Sequence, residues 1–111
     1  MVSVASTWEH NRAIDLCQSV LDGRISILEA TRLLFPLAHT DAIQSEEDRI
    51  LIIAIDSETD DLPVGHVREL WAPDALKEKD LEIARAESLY KEQFLDACRR
   101  IARTEIESNE R

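Results

Sequence analysis

Glycine and proline are scarce in this chain, with two of the first and three of the second in 111 residues. An all-β sandwich or barrel needs turn residues at intervals of roughly 8–12 positions, so that class is excluded and helices are favoured. Long apolar runs are also missing. The longest is the six-residue Ile50-Leu-Ile-Ile-Ala-Ile55, far short of the roughly 18 residues that cross a bilayer. The N-terminus, Met1-Val-Ser-Val-Ala-Ser-Thr7, lacks the basic region and apolar core of a signal peptide, which predicts a cytoplasmic protein without a membrane partner. Cysteine is limited to Cys17 and Cys98, far apart and among apolar neighbours. Neither has a CxxC context, so both are expected to be buried small hydrophobes and not redox or nucleophilic groups.

Positive charge is the other deficit. Lys and Arg number 13 against 23 Asp and Glu, a net −10. Such a field repels nucleic acid and anionic lipid and attracts basic surfaces. Catalytic signatures are absent as well: the sequence has no glycine-rich phosphate loop, nucleophile elbow or cofactor fingerprint. His10, His39 and His66 are isolated, with no HxxxH or ExxH pair to hold a transition metal. The reading is a non-enzymatic protein with no cofactor.

What is present is enough to fold. The chain is 44% apolar and 32% charged, which fits one domain over 1–111 with 1–6 and 106–111 frayed. A capping box at Ser6-Thr-Trp-Glu9 and a stop at Gly23 bracket a first helix, Thr7 to Asp22. A second box at Ser26-Ile-Leu-Glu29 opens another helix with an apolar face of Leu28, Thr31, Leu33, Leu34 and Phe35, ended by Pro36. Ser45 with Glu46, Glu47 and Asp48 suits a third helical start. The β-branched run that follows also reads as a strand, but a lone strand has no partner, so a buried helix from Ser45 to Ser57 is expected. A short helix from Leu62-Pro63 to Trp71 follows, and then a long one from Pro73, a residue suited to the first helical position. Leu76, Ile83, Tyr90 and Ala97 recur every seven residues, with Phe94, Cys98 and Ile101 widening the stripe. The last helix should run about 30 residues and bend near Asp80. The predicted fold is all-α, an antiparallel bundle of four or five helices with a long C-terminal helix. Trp8 and Trp71 are expected mainly in the core.

Charge is concentrated at Asp41 to Asp61, where eight acids face the single base Arg49, a net of −7. Four of those carboxylates, Asp56, Glu58, Asp60 and Asp61, follow the apolar run directly. At a helix C-terminus they would oppose the macrodipole, and a local rule broken in this way marks a functional or strained place. A calcium loop does not fit, because the sixth position is Asp61 where Gly is needed and the twelfth is Val67 where Glu is needed. A carboxylate pair such as Asp56 and Asp60 is the minor, hydrolase-like alternative. The structural reading is a cap: Ser57, Thr59, Asp60 and Asp61 bond backbone N–H groups, and Arg68 or Arg49 pairs an acid. The binding reading makes Glu46, Glu47, Asp48, Asp56, Glu58, Asp60 and Asp61 contacts for a basic partner, with Trp71 as an aromatic anchor.

The segment Ser57-Glu-Thr-Asp-Asp-Leu-Pro-Val-Gly65, with His66-Val-Arg-Glu-Leu-Trp71 and Ala97-Cys-Arg-Arg-Ile101, resembles a small uncharacterised bacterial protein family. Leu21-Asp-Gly-Arg-Ile-Ser-Ile27 is similar to the same pattern, and together these blocks span about a quarter of the chain. The resemblance implies no catalytic residue or ligand. In size, acidity and helical character the chain is also similar to immunity proteins that neutralise bacterial toxins. The leading expectation is therefore an acidic binding protein masking a basic toxin domain. The alternative is a self-associating helical domain that forms a homodimer through the Leu76–Ile101 stripe of its C-terminal helix.

Overall fold

In the computed structural model, which describes residues 7–109 with side chains placed to residue 103, four α-helices are joined by turns and two short 3-10 segments. They are α1 (Thr7–Leu21), α2 (Ile27–Leu34), α3 (Glu46–Glu58) and α4 (Pro73–Asn109), with 3-10 turns at Leu37–His39 and Gly65–Leu70. No strand element occurs among the described residues, so the all-α expectation holds. Each boundary has a local cause. The first capping box begins at Ser6, which lies outside the described residues.

α1 buries Ala13, Leu16, Cys17 and Val20 at helical spacing. It ends in a Schellman turn: the Gly23 N–H donates to the Val20 carbonyl at 3.0 Å and the Arg24 N–H to that of Ser19 at 2.8 Å. Gly23 sits at φ +75°, a left-handed conformation that costs an L side chain energy. At the start of α2, Ser26 Oγ accepts from the Glu29 N–H at 3.1 Å. A carboxylate from α4 caps the same end, with the Leu28 N–H donating to Glu87 Oε2 at 3.3 Å. The expected apolar face of α2 needs one correction. Leu33 is exposed and Phe35 only half-buried, while Ile27, Leu28, Ala30, Thr31 and Leu34 face inward.

The β-branched run is helical, as expected, but it is amphipathic and not buried all round. Ile52 and Ile55 are buried whereas Ile50 is 59% exposed. The expected helix from Leu62-Pro63 is instead an extended corner followed by the 3-10 turn Gly65–Leu70. α4 is longer than expected, 37 residues, and continuous through Asp80. At a rise of about 1.5 Å per residue its length matches the 53 Å long axis of the molecule.

α4 is the spine of the fold. Its inward face carries Ile83, Ala86 and Tyr90, half-buried, then Phe94, Ala97, Cys98 and Ile101, buried. Along that face α1 and α3 both run antiparallel to α4. Ile14 neighbours Ile101 while Leu21 neighbours Leu95, and Asp48 meets Arg100 while Thr59 neighbours Ala86. One core joins the four helices, centred on Leu28, Leu34, Ile43, Ile52, Ile55 and Phe94. Trp8 does not join it. It is 68% exposed, contrary to its expected core role, and Trp71 is half-buried.

Candidate protein-binding face on α3

α3 carries most of the acidic segment, and its two ends are built differently. At its N-terminus Ser45 Oγ accepts from the Asp48 N–H at 3.3 Å. Glu46, Glu47 and Asp48 then occupy the first turn, where the helix dipole favours negative charge. Arg49 turns back to the incoming loop, donating to the Ile43 carbonyl at 2.8 Å and the Gln44 carbonyl at 2.9 Å.

Asp48 departs from its expected role as a partner contact. Its side chain is 2% exposed and receives Arg100 from α4, with Nη2 at 2.6 Å and Nε at 3.2 Å from Oδ1. Asp48 shares the inward face of α3 with Ile52, Ile55 and Thr59, at spacings of four, three and four. A buried carboxylate needs a charge-assisted partner, and the fork of a guanidinium supplies two donors. Hydrogen bonding to Asp48 raises the Arg100 pKa, while desolvation works against it. Asp48 is thus a structural clamp between α3 and α4.

The C-terminus of α3 explains the apparent conflict with the macrodipole. Arg32, projecting from α2, donates to Asp56 Oδ1 at 2.9 Å and to Thr59 Oγ1 at 3.2 Å, and it also bonds the Thr59 carbonyl. The buried Thr59 hydroxyl donates to the Ile55 carbonyl at 2.6 Å. A cation from another helix therefore sits where the dipole is negative, and it neutralises Asp56 at the same time. The expected cap needs correcting: the Thr59 hydroxyl donates to a carbonyl instead of accepting from a backbone N–H, and the cation that pairs the acid is Arg32 and neither Arg49 nor Arg68. Arg68, offered for this role by the sequence, instead bonds Asp80 at 2.7 and 3.1 Å. Hydrogen bonding to Arg68 holds the Asp80 carboxyl below its ordinary value.

Removing Asp48 and Asp56 from the surface leaves a clear residue set. Glu46, Glu47, Glu58 and Asp60 are exposed and have no ion pair among the described residues. Asp61 is exposed with only a long contact to Lys79, at 3.9 Å. On the outward face of α3 Glu46, Glu47 and Glu58 bracket Ile50 and the exposed Ala54, the two ends lying about 18 Å apart, and Asp60 and Asp61 follow in the turn after the helix. A shallow groove of about 440 Å³ runs beside them between α3 and α4, lined by Glu47, Ile50, Leu51, Ala54, Gln93 and Asp96 among others. Trp71 belongs to a different element, at the corner before α4, where its N–H donates to the Arg68 carbonyl at 3.1 Å.

His39 meets Phe35 edge-on at a centroid distance of 4.9 Å. No group of three or more His, Cys, Asp or Glu among the described residues could hold a metal ion. Cys17 and Cys98 are both reduced and buried, and they meet across the α1–α4 interface. The hydrogen bond with Cys98, followed by burial, pushes the Cys17 thiol pKa up, so it is protonated and unreactive. No helix among the described residues is long and apolar enough to cross a membrane. No family model matches the chain, and neither a curated protein nor a solved structure does.

Proposed function

We propose that this chain is a non-enzymatic binding protein whose outward α3 face receives a basic protein surface. The observation that carries the reading is the sorting of the acidic segment. Asp48 and Asp56 are held by Arg100 and Arg32. Glu46, Glu47, Glu58 and Asp60 are exposed and form no ion pair among the described residues, around the exposed Ile50. Concentrated, unpaired negative charge steers a basic partner and speeds encounter, and an exposed apolar residue at the centre slows dissociation. A small, acidic, helical chain that masks a basic toxin domain, as immunity-type proteins do, is the class this face fits best.

The test is capture from source-cell lysate at low and high salt, comparing the native chain with Ile50→Asp. Ile50 is exposed, so the substitution leaves the core intact. The reading expects a basic protein retained at low salt, weakened at high salt and lost with Ile50→Asp. Capture that ignores both salt and the substitution contradicts it.

A further inference from the structure

α4 has a second face that the core does not use. Leu81, Ala84, Arg85, Ser88 and Leu89 follow one another at helical spacing on the side opposite Ile83, Tyr90 and Phe94, and they line one open surface. Leu81 is 62% and Leu89 72% exposed. One turn before this patch stand Lys77 and Glu78; one turn after it stand Lys91 and Glu92. None of these four has an ion pair among the described residues, although their neighbours Lys79 and Asp80 do.

The order of charge is the same at both ends, basic then acidic. That pattern complements itself in one direction only. If two α4 helices lie antiparallel about a two-fold axis between Ala84 and Arg85, Lys77 of each copy faces Glu92 of the other and Glu78 faces Lys91. In a parallel pair each residue meets its own like charge. An isologous two-fold contact is also the commonest way for identical chains to associate.

We infer that this outward face of α4 is an interface with a second copy of the chain, packed antiparallel. Most of the Leu76–Ile101 stripe expected to form such a seam, from Ile83 to Ile101, packs in or against the core. The seam also differs from the acidic face of α3, so a dimer leaves that face open to a basic partner. A single helix–helix seam is small, which places the association at the weak, concentration-dependent end.

Sedimentation over a concentration series tests this with the native chain, Glu92→Lys and the double variant Lys77→Glu/Glu92→Lys. Both sites are exposed, so the fold is undisturbed. The native chain should pass from monomer to dimer. Glu92→Lys places like charges together twice across the axis and should weaken the dimer roughly tenfold. The double variant restores opposite charges and should recover the native affinity. Within one chain the two positions are about 22 Å apart along the helix, too far to pair, so recovery requires a second copy. A monomer at every concentration up to about 1 mM overturns the proposal. So does a dimer indifferent to Glu92→Lys, or one that the double variant fails to restore.

Discussion

Asp48 and Arg100 form an ion pair with unequal surroundings, and that inequality sets the result of breaking it. The Asp48 side chain is 2% exposed and that of Arg100 51%. Truncating Arg100 strands a carboxylate away from water, whereas truncating Asp48 leaves a guanidinium that can turn to solvent. Arg100→Ala should therefore cost about 3 kcal/mol and Asp48→Ala about 2 kcal/mol, read by denaturant unfolding. The reverse order would show that Asp48 is not a buried clamp. Cys17 gives a signed dependence on pH. Its folded-state pKa is raised above the ordinary thiol value by the hydrogen bond with Cys98 and by burial, so its contribution to stability is complete below about pH 9 and declines as pH rises beyond it. Unfolding of the native chain and of Cys17→Ala at alkaline pH should show the steeper decline in the native chain. Parallel curves would contradict the burial argument.

The elements record which residues the sequence made legible. Ser26, Ser45 and Gly23 fix helix ends through bonds within a few residues of themselves, and Pro73 opens α4 through its ring-fixed φ, and local chemistry of that kind can be read directly. Asp48 was also legible, since its spacing to Ile52 and Ile55 places it on the inward face of α3. Its membership of an acidic run masked that signal. Arg32 with Asp56, Arg100 with Asp48 and Cys17 with Cys98 join residues 24, 52 and 81 positions apart, and only the packing of one helix on another brings them together. The anomaly of acids at the end of α3 was therefore visible while its remedy was not. Two substitutions measure these ends. Gly23→Ala puts a Cβ at φ +75° in otherwise open space, so strain alone should lower stability by about 1 kcal/mol. Arg32→Ala uncovers the Thr59 carbonyl and Asp56 together and should cost about 2 kcal/mol, with loss of amide protection concentrated in the last turn of α3. Uniform loss across the molecule would argue against a local cap.

At the scale of the whole molecule, one helix as long as the molecule organises two separate surfaces. The C-terminal half of α4 closes the core with Phe94, Cys98 and Ile101, and its N-terminal half carries an outward face of Leu81 and Leu89 between charges of alternating sign. On another side, α3 presents the exposed acids Glu46, Glu47 and Glu58, which form no ion pair among the described residues. The composition alone gave the sign of the surface, but not which acids remain exposed on it, because internal pairing with Arg32 and Arg100 depends on the tertiary fold. The direct measurement is the association rate of the captured basic partner across a salt series, for the native chain and for a variant with Glu46, Glu47, Glu58 and Asp60 all changed to Gln. The account predicts slower association and a flattened salt dependence in the variant, with thermal stability little changed, since losing Glu46 and Glu47 from the first turn of α3 is partly offset by losing Glu58 from its last turn. An unchanged rate and salt slope would contradict it.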